Sequence, residues 1–227
     1  MTLFQAPASF QNHLREFQVN IPTSVKIVAV TKKKSVDVIR TAYAAGLRDF
    51  GESRVQETIA KQEQLQDLPD ITWHLIGHLQ SNKASKAVEH FTWIHSVDSL
   101  KLAKRLEQAA SELSLCPQAC LQVKMRPDPN KYGWDPEHLL ADLPVLDQLS
   151  HLKIVGLMAI PPLGLSLDET LQCFRDVGAL AHRIQSQSWQ HLDIQELSMG
   201  MSEDYELAIQ AGATMIRPGR RLFGDRT

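Results

Sequence analysis

Lys26-Ile-Val-Ala-Val-Thr31 is the first strongly patterned run in the chain. Its apolar, β-branched and uninterrupted character is that of a strand buried on both faces. The period then changes. Over Lys33 to Ala45, the residues Val36, Ile39, Ala42 and Tyr43 fall on one side of a helix that Gly46 stops. The same pair of elements recurs along the sequence. Further strands are predicted at Leu47–Phe50, Trp73–Ile76, Phe91–His95, Ala119–Val123, Ile154–Ala159, Ile194–Met199 and Thr214–Arg217. Helices are predicted from near Ser53, over Asn82–His90, and from a cap at Asp98 or Ser99 through Leu100, Ala103, Leu106 and Ala110. Others follow over Pro136–Leu149, Leu167–Ile184 and Glu203–Gln210. Strands alternating with helices imply a parallel sheet, and eight strands in 227 residues favour its closure. The expected fold is α/β, a single (β/α)8 TIM barrel forming one domain over residues 1–227. Lys61 to Asp70 reads as a polar surface loop too short to separate domains.

Charge and composition narrow the function. With 24 Lys+Arg against 26 Asp+Glu the formal net charge is −2, which removes the electrostatic case for a nucleic-acid binder. Hydrophobic residues at 43% and charged residues at 22% are ordinary globular usage. Three cysteines cannot all pair within the chain, so a reducing, cytoplasmic compartment is expected. The start, MTLFQAPASF, lacks the basic and apolar regions of a signal peptide, and no apolar stretch reaches membrane-spanning length. No G-x-G-x-x-G, Walker loop or G-x-S-x-G occurs.

In a parallel barrel the functional groups stand at the carboxyl ends of the strands. Lys32 ends the first strand and shares a face with Val28 and Val30, while Lys33 points the other way. Taken alone, Lys32-Lys33-Lys34 reads as a solvated cluster at a helix start. A lysine rooted in a barrel mouth has a second use. Desolvation there lowers the ammonium pKa and frees an amine to attack a carbonyl, giving a Schiff base. The last two strands bear on the choice, because TIM barrels often bind phosphate at the loops after strands seven and eight. Strand seven ends in Leu197-Ser-Met-Gly-Met-Ser202, where Gly200 permits close backbone approach. Ser202 there is a hydroxyl for an anion or a plain helix cap. Strand eight ends in Arg217-Pro-Gly-Arg220, a basic surface turn or a place where Gly219 exposes N–H groups and Arg217 meets a ring or anion. A Schiff-base lysine and a phosphate cradle at one mouth describe a pyridoxal phosphate site.

Longer segments carry a family resemblance. They are Val28-Ala-Val-Thr-Lys32, Phe50-Gly-Glu-Ser-Arg-Val-Gln-Glu57, Trp73-His-Leu-Ile-Gly-His-Leu-Gln-Ser-Asn-Lys83 and His95-Ser-Val-Asp98. Gly156-Leu-Met-Ala-Ile-Pro161, Leu197-Ser-Met-Gly-Met-Ser202, and Arg217-Pro-Gly219 with Phe223-Gly224 follow in order. In these the chain resembles the pyridoxal-phosphate homeostasis protein family. The resemblance implies a barrel like the N-terminal domain of alanine racemase, holding pyridoxal 5'-phosphate as an aldimine on Lys32. It implies a phosphate cradle of Ser202, Gly219 and the N–H of Arg220, with Arg217 facing the pyridine nitrogen. Ser53 stands where the family pattern has Asn after Phe-Gly-Glu, and is carried over as a cofactor contact. Lys124 replaces a common Asn, whereas Lys131-Tyr-Gly133 keeps the family's Lys-x-Gly. Arg220 and Arg221 replace small residues, a change that spares backbone contacts and is expected to strengthen anion binding.

The implied function is intracellular cofactor homeostasis: a monomeric carrier that buffers pyridoxal phosphate or delivers it to apoenzymes, and so affects amino- and keto-acid balance. The alternative is an enzyme such as an amino-acid racemase. A two-base racemase needs a second acid/base facing the substrate opposite the lysine. In the racemases this barrel resembles, a tyrosine of a separate C-terminal β domain fills that role. Eight strand-helix units take up almost all of the 227 residues, so that domain is expected to be absent. Of Tyr43, Tyr132 and Tyr205, only Tyr132 lies on a loop expected to reach the mouth. No catalytic residue and no metal ligand is assigned. Cys116 and Cys120 lack a second ligand pair, Cys173 sits on a helix, and His74 and His78 lack an accompanying carboxylate. Lys101, Lys104 and Arg105 read as a solvated helix face.

Overall fold

The alternation of strand and helix closes on itself. The computed structural model describes residues 7–128 and 131–224; Pro129 and Asn130 of the turn-rich loop, and both ends of the chain, lie outside the described residues. The strands are β1 (Lys26–Ile27), β2 (Ala29–Val30), β3 (Asp49–Glu52), β4 (Thr72–Leu75) and β5 (Trp93–Val97). They continue with β6 (Gln118–Val123), β7 (Lys153–Ala159), β8 (Glu196–Ser198) and β9 (Met215–Ile216). All pair in parallel, in the order β1-β9-β8-β7-β6-β5-β4-β3-β2. β1 and β2 are two halves of one barrel strand. On one edge the N–H groups of Lys26, Val28 and Val30 donate to the carbonyls of Thr214, Ile216 and Pro218 at 2.8, 2.9 and 2.9 Å. On the other edge Ala29 and Val30 register with Phe50 and Gly51. The result is the expected parallel β/α barrel.

The helices are α1 (Pro7–Val19), α2 (Val36–Ala44), α3 (Val55–Gln62), α4 (Ala84–His90), α5 (Leu100–Leu113), α6 (Pro136–Leu146), α7 (Leu167–Gln185), α8 (Tyr205–Gln210) and α9 (Arg220–Phe223). Two of them, α1 and α9, correct the sequence reading, which began at Lys26 and ended at Arg217. Their signal was present: Phe10, Leu14 and Phe17 are spaced i, i+4, i+7 and all buried, and Phe10 stacks on Phe223 at 5.7 Å. The helix predicted from Lys33 starts three residues later, because Lys33 takes a left-handed conformation at φ 62° and Ser35 precedes the first turn. Lys61 is also reassigned: it lies on α3 and is buried. No helix among the described residues is long and apolar enough to cross a membrane.

Two packed layers hold the barrel. One large apolar cluster fills the space between strands and helices, with Phe50, Ile94, Leu121, Leu139 and Phe174 fully buried. A smaller cluster of Val28, Trp93, Cys120, Val155, Met158 and Met215 is separate from it. This separation reflects strand alternation, which sends successive side chains to opposite faces. His74, His95, Ser198 and Arg217 are buried too.

Candidate functional site

A cleft of about 800 Å³ opens at the carboxyl ends of the strands. Lys32 enters it after β2, Lys131 after β6, the Ile160 to Leu165 loop after β7, Ser202 after β8, and Arg217, Gly219 and Arg220 after β9. Five of the six sequence-predicted site residues therefore line one cleft. Ser53 is not among its lining residues; it packs on Gly77, where a Cβ would come within 2.4 Å of the Ser53 carbonyl oxygen.

Lys32 is exposed, so the desolvation expected for it is not provided by the open mouth. The buried lysine is Lys61, which lies behind the strand. Its Nζ donates to the Thr31 carbonyl at 3.0 Å and to Glu52 Oε1 at 2.6 Å, and lies 3.4 Å from Glu57 Oε1. Thr31 Oγ1 donates to the same Glu52 oxygen at 2.7 Å, and Glu57 accepts the Lys33 N–H at 2.9 Å. This network pins the backbone on both sides of Lys32. Burial pushes the Glu52 carboxyl up, against the opposing charge and hydrogen bond of Lys61. Sequence reasoning missed Lys61, since a polar stretch after a helix reads as surface. The Glu57–Lys61 spacing of i, i+4 was the available signal.

Ser202 has a different job from the cap it resembled. Asp204 flanks α8, while Ser202 Oγ accepts the N–H groups of Gly219 at 3.0 Å and Arg221 at 3.1 Å. A hydroxyl accepting two hydrogens still has its own to donate. Gly200 makes this turn possible. At φ +89° it adopts a conformation side chains resist, and a Cβ there would meet Ala208 Cβ at 2.6 Å and Tyr205 Cα at 2.9 Å. Its carbonyl accepts the Arg217 N–H at 2.8 Å, tying the ends of β8 and β9 together.

Arg217 is 3% exposed. Nη1 donates to Ser198 Oγ at 2.7 Å and Nη2 to the Ala159 carbonyl at 3.0 Å. Burial lowers its pKa to about 10, so the guanidinium stays charged at neutral pH. The Arg220 side chain turns to Glu203, 3.1 Å away, and both are exposed. The cleft thus combines an amine, a hydroxyl among backbone N–H donors, and a fixed buried cation, a set suited to a small anionic ligand bearing a carbonyl and an aromatic nitrogen.

None of the three tyrosines lines the cleft. Tyr43 donates to Asp70, and the Tyr205 hydroxyl to Glu206 at 2.9 Å. Tyr132 stacks on His78 with ring centroids 3.6 Å apart, leaving Lys131 as the member of its loop that reaches the cleft. His78 Nδ1 sits 2.8 Å from Asp98, whereas His74 points to Asp49 and His95, so the two histidines do not converge. Among the described residues no group of three or more His, Cys, Asp or Glu could hold a metal ion. The cysteines are free: Cys116 is exposed, Cys173 is buried on α7, and burial pushes the Cys120 thiol up to about 12.

Comparison with known proteins shows the family and the fold. Residues 6–227 match the family described as alanine racemase, N-terminal domain. The chain is 54% identical over 211 residues to the pyridoxal phosphate homeostasis protein of Synechocystis sp., covering 93% of this chain and 96% of that one. It is 44% identical over 206 residues to the pyridoxal phosphate homeostasis protein of Pseudomonas aeruginosa, covering 90% and 86%. A solved structure of PipY from Synechococcus elongatus with PLP bound superposes with a TM-score of 0.90 at 54% identity, over 95% of this chain and 100% of that one. Alanine racemase of Clostridium difficile shares the fold, with a TM-score of 0.77 at 15% identity over 96% of this chain and 59% of that one.

Proposed function

The chain belongs to the alanine racemase N-terminal domain family, and we propose that it binds pyridoxal 5'-phosphate in the barrel-mouth cleft and serves homeostasis of that cofactor as a carrier, not an enzyme. What supports this most is a convergence: Lys32, Ser202, Arg217, Gly219 and Arg220 come from both ends of the sequence and line one cleft.

The donor set fits the cofactor. The Ser202 hydroxyl hydrogen and the Arg220 N–H would hold the phosphate, beside Gly219, whose own N–H donates to Ser202 Oγ at 3.0 Å. A Cβ at Gly219 would reach to 3.4 Å from Val30 Cβ, so glycine keeps open the space beside the Lys32 strand. When bound, the cofactor supplies an aldehyde carbon that an amine bonds reversibly and a ring that withdraws electrons. Lys32 would hold the aldehyde end. Arg217, charged at neutral pH, would face the ring nitrogen and discourage its protonation. That weakens electron withdrawal relative to an acidic partner and suits retention over turnover. None of the tyrosines that could act as a second base lines the cleft. The proposal extends to a one-domain, monomeric, cytoplasmic carrier that buffers the cofactor or passes it to apoenzymes.

The test is to add cofactor to the purified protein, reduce with borohydride, and map the pyridoxyl adduct by mass spectrometry. The adduct is expected on Lys32; none, or one on Lys33 or Lys34 instead, overturns the site. Racemisation and decarboxylation assays with an amino-acid panel are expected to show no robust turnover. Turnover that vanishes in Lys32→Ala overturns the carrier.

A further inference from the structure

A run of hydrogen bonds crosses the barrel interior from the cleft to its far end. Arg217 Nη1 donates to Ser198 Oγ at 2.7 Å, and that oxygen is 2.6 Å from His95 Nδ1. His95 Nε2 is 2.9 Å from His74 Nδ1, and His74 Nε2 is 2.9 Å from Asp49 Oδ1. Ser198, His95, His74 and Asp49 stand on β8, β5, β4 and β3, and Arg217 directly follows β9. His74, His95 and Ser198 are fully buried. At the far end Lys26 Nζ lies 3.6 Å from Asp49 Oδ1 and over the Trp93 ring at 5.1 Å.

The chemistry of the two ends sets the direction of every proton. An arginine only donates and a carboxylate only accepts. Ser198 Oγ takes a hydrogen from Arg217 and gives its own to His95 Nδ1. His95 then carries its hydrogen on Nε2, which it gives to His74 Nδ1, and His74 gives its Nε2–H to Asp49. Both imidazoles are neutral in this arrangement. Burial pulls both below the ordinary histidine range, aided at His95 by the neighbouring His74, Arg217 and Lys26, and opposed at His74 by Asp49. Turning either tautomer over would set two lone pairs or two N–H groups against each other.

We propose that this directional chain holds the Arg217 guanidinium at the ring nitrogen of the bound cofactor, making Ser198 and His95 positioning residues of the site. The inference rests on the cofactor reading above. A guanidinium is specific only when its plane is fixed. Ser198 is the side chain that fixes one of its nitrogens, the other being held by the Ala159 carbonyl.

The test compares pyridoxal 5'-phosphate with its carbocyclic analogue, in which C–H replaces the ring nitrogen, by fluorescence titration of the cofactor-free protein. Wild type is expected to prefer the natural ligand. Ser198→Ala should weaken the natural ligand by about tenfold, the scale of one charge-assisted hydrogen bond, and the analogue by less than about twofold. Ser198→Thr, which keeps a hydroxyl, should restore the preference, and His95→Phe should lose it. Ser198→Ala combined with Arg217→Ala should lose no more than Arg217→Ala alone. A purely structural role weakens both ligands equally; equal weakening, or an unchanged preference in Ser198→Ala, overturns the inference while leaving the cofactor site intact. If Ser198→Ala fails to fold, His95→Phe and Ser198→Thr decide by the same ratio. A wild type that binds neither ligand overturns the cofactor reading, and the inference falls with it.

Discussion

Lys61→Met removes the buried ammonium behind the Lys32 strand and leaves most of its apolar stem. The Lys61 side chain is 8% exposed and that of Glu52 0%. After the substitution Glu52 has Thr31 Oγ1 as its remaining partner on Oε1, while Oε2 has no hydrogen-bond partner even with Lys61 present. Removing one member of a buried ion pair costs about 3–5 kcal/mol, because the other charge is left in a poor solvent. At roughly 2–4 °C per kcal/mol for a chain of this size, the thermal midpoint at pH 8 should fall by on the order of 10 °C. The pH dependence has a defined sign. Burial already raises the Glu52 carboxyl, and the Lys61 charge is the largest influence opposing it, so in the variant the folded-state pKa rises further above the unfolded value of about 4.3. A raised carboxyl contributes stability that is fully present below the unfolded pKa and is lost as pH rises through the folded one. The deficit should therefore be smaller at pH 5 than at pH 8, since protonation relieves the unpaired charge. Urea unfolding of wild type, Lys61→Met, Glu52→Gln and the double variant at both pH values measures this, and the double variant should regain some of the loss. A deficit below about 1 kcal/mol, or one equal at pH 5 and pH 8, would refute a charged buried pair at this position.

Three further substitutions test other regions of the frame. Gly200→Ala forces a side chain into a left-handed backbone and against Ala208 and Tyr205; a loss of about 2–4 kcal/mol in chemical unfolding is expected, and a loss under 1 would mean that the turn relaxes. Glu107 accepts the N–H groups of Ser150, His151 and Leu152. Burial alone would raise its carboxyl, but His151 and those N–H groups hold it below the usual range. Glu107→Ala should cost about 1–3 kcal/mol near pH 7, and the cost should shrink as pH falls below about 4, because a lowered carboxyl contributes only above that range; a pH-independent loss contradicts this. Arg220→Thr deletes an exposed charge already paired with Glu203, so cofactor retention on dialysis should fall by no more than about fivefold at low salt and by less at high salt. Equal retention at low salt removes any role for that charge.

The sequence carries the fold because strand and helix periods are local. Lys26 to Thr31, Ile154 to Ala159 and Leu167 to Ile184 need no partner to show what they are. Strand ends, helix starts and glycine turns likewise made Lys32, Ser202, Arg217 and Gly219 legible as one mouth. Lys61 was not legible, because polarity alone predicts water. Only the fold places it against Glu52, nine residues earlier on a neighbouring element. Ser202 was legible as a hydroxyl but not as an acceptor for Gly219 and Arg221, a contact between segments 17 and 19 residues apart. Ser53 shows the limit of motif position, since a residue can hold its place in Phe50-Gly-Glu-Ser53 and still pack on Gly77 outside the cleft lining.

The interior of the barrel joins these two kinds of information. Val28, Cys120, Met158 and Met215 pack there as apolar side chains ordinarily do in a small barrel, where layers of apolar residues make a core and not a pore. His74, His95 and Ser198 are buried as well, and they do not serve stability well. A satisfied buried hydrogen bond adds only about 1 kcal/mol net, and apolar residues of similar volume often do as well or better. The polar atoms are also not scattered. They form one connected run whose cleft end is Arg217 and whose far end is Asp49, next to Lys26. A run that begins at a ligand cleft and sets the direction of each proton is better explained by what it presents at Arg217 than by what it adds to the core.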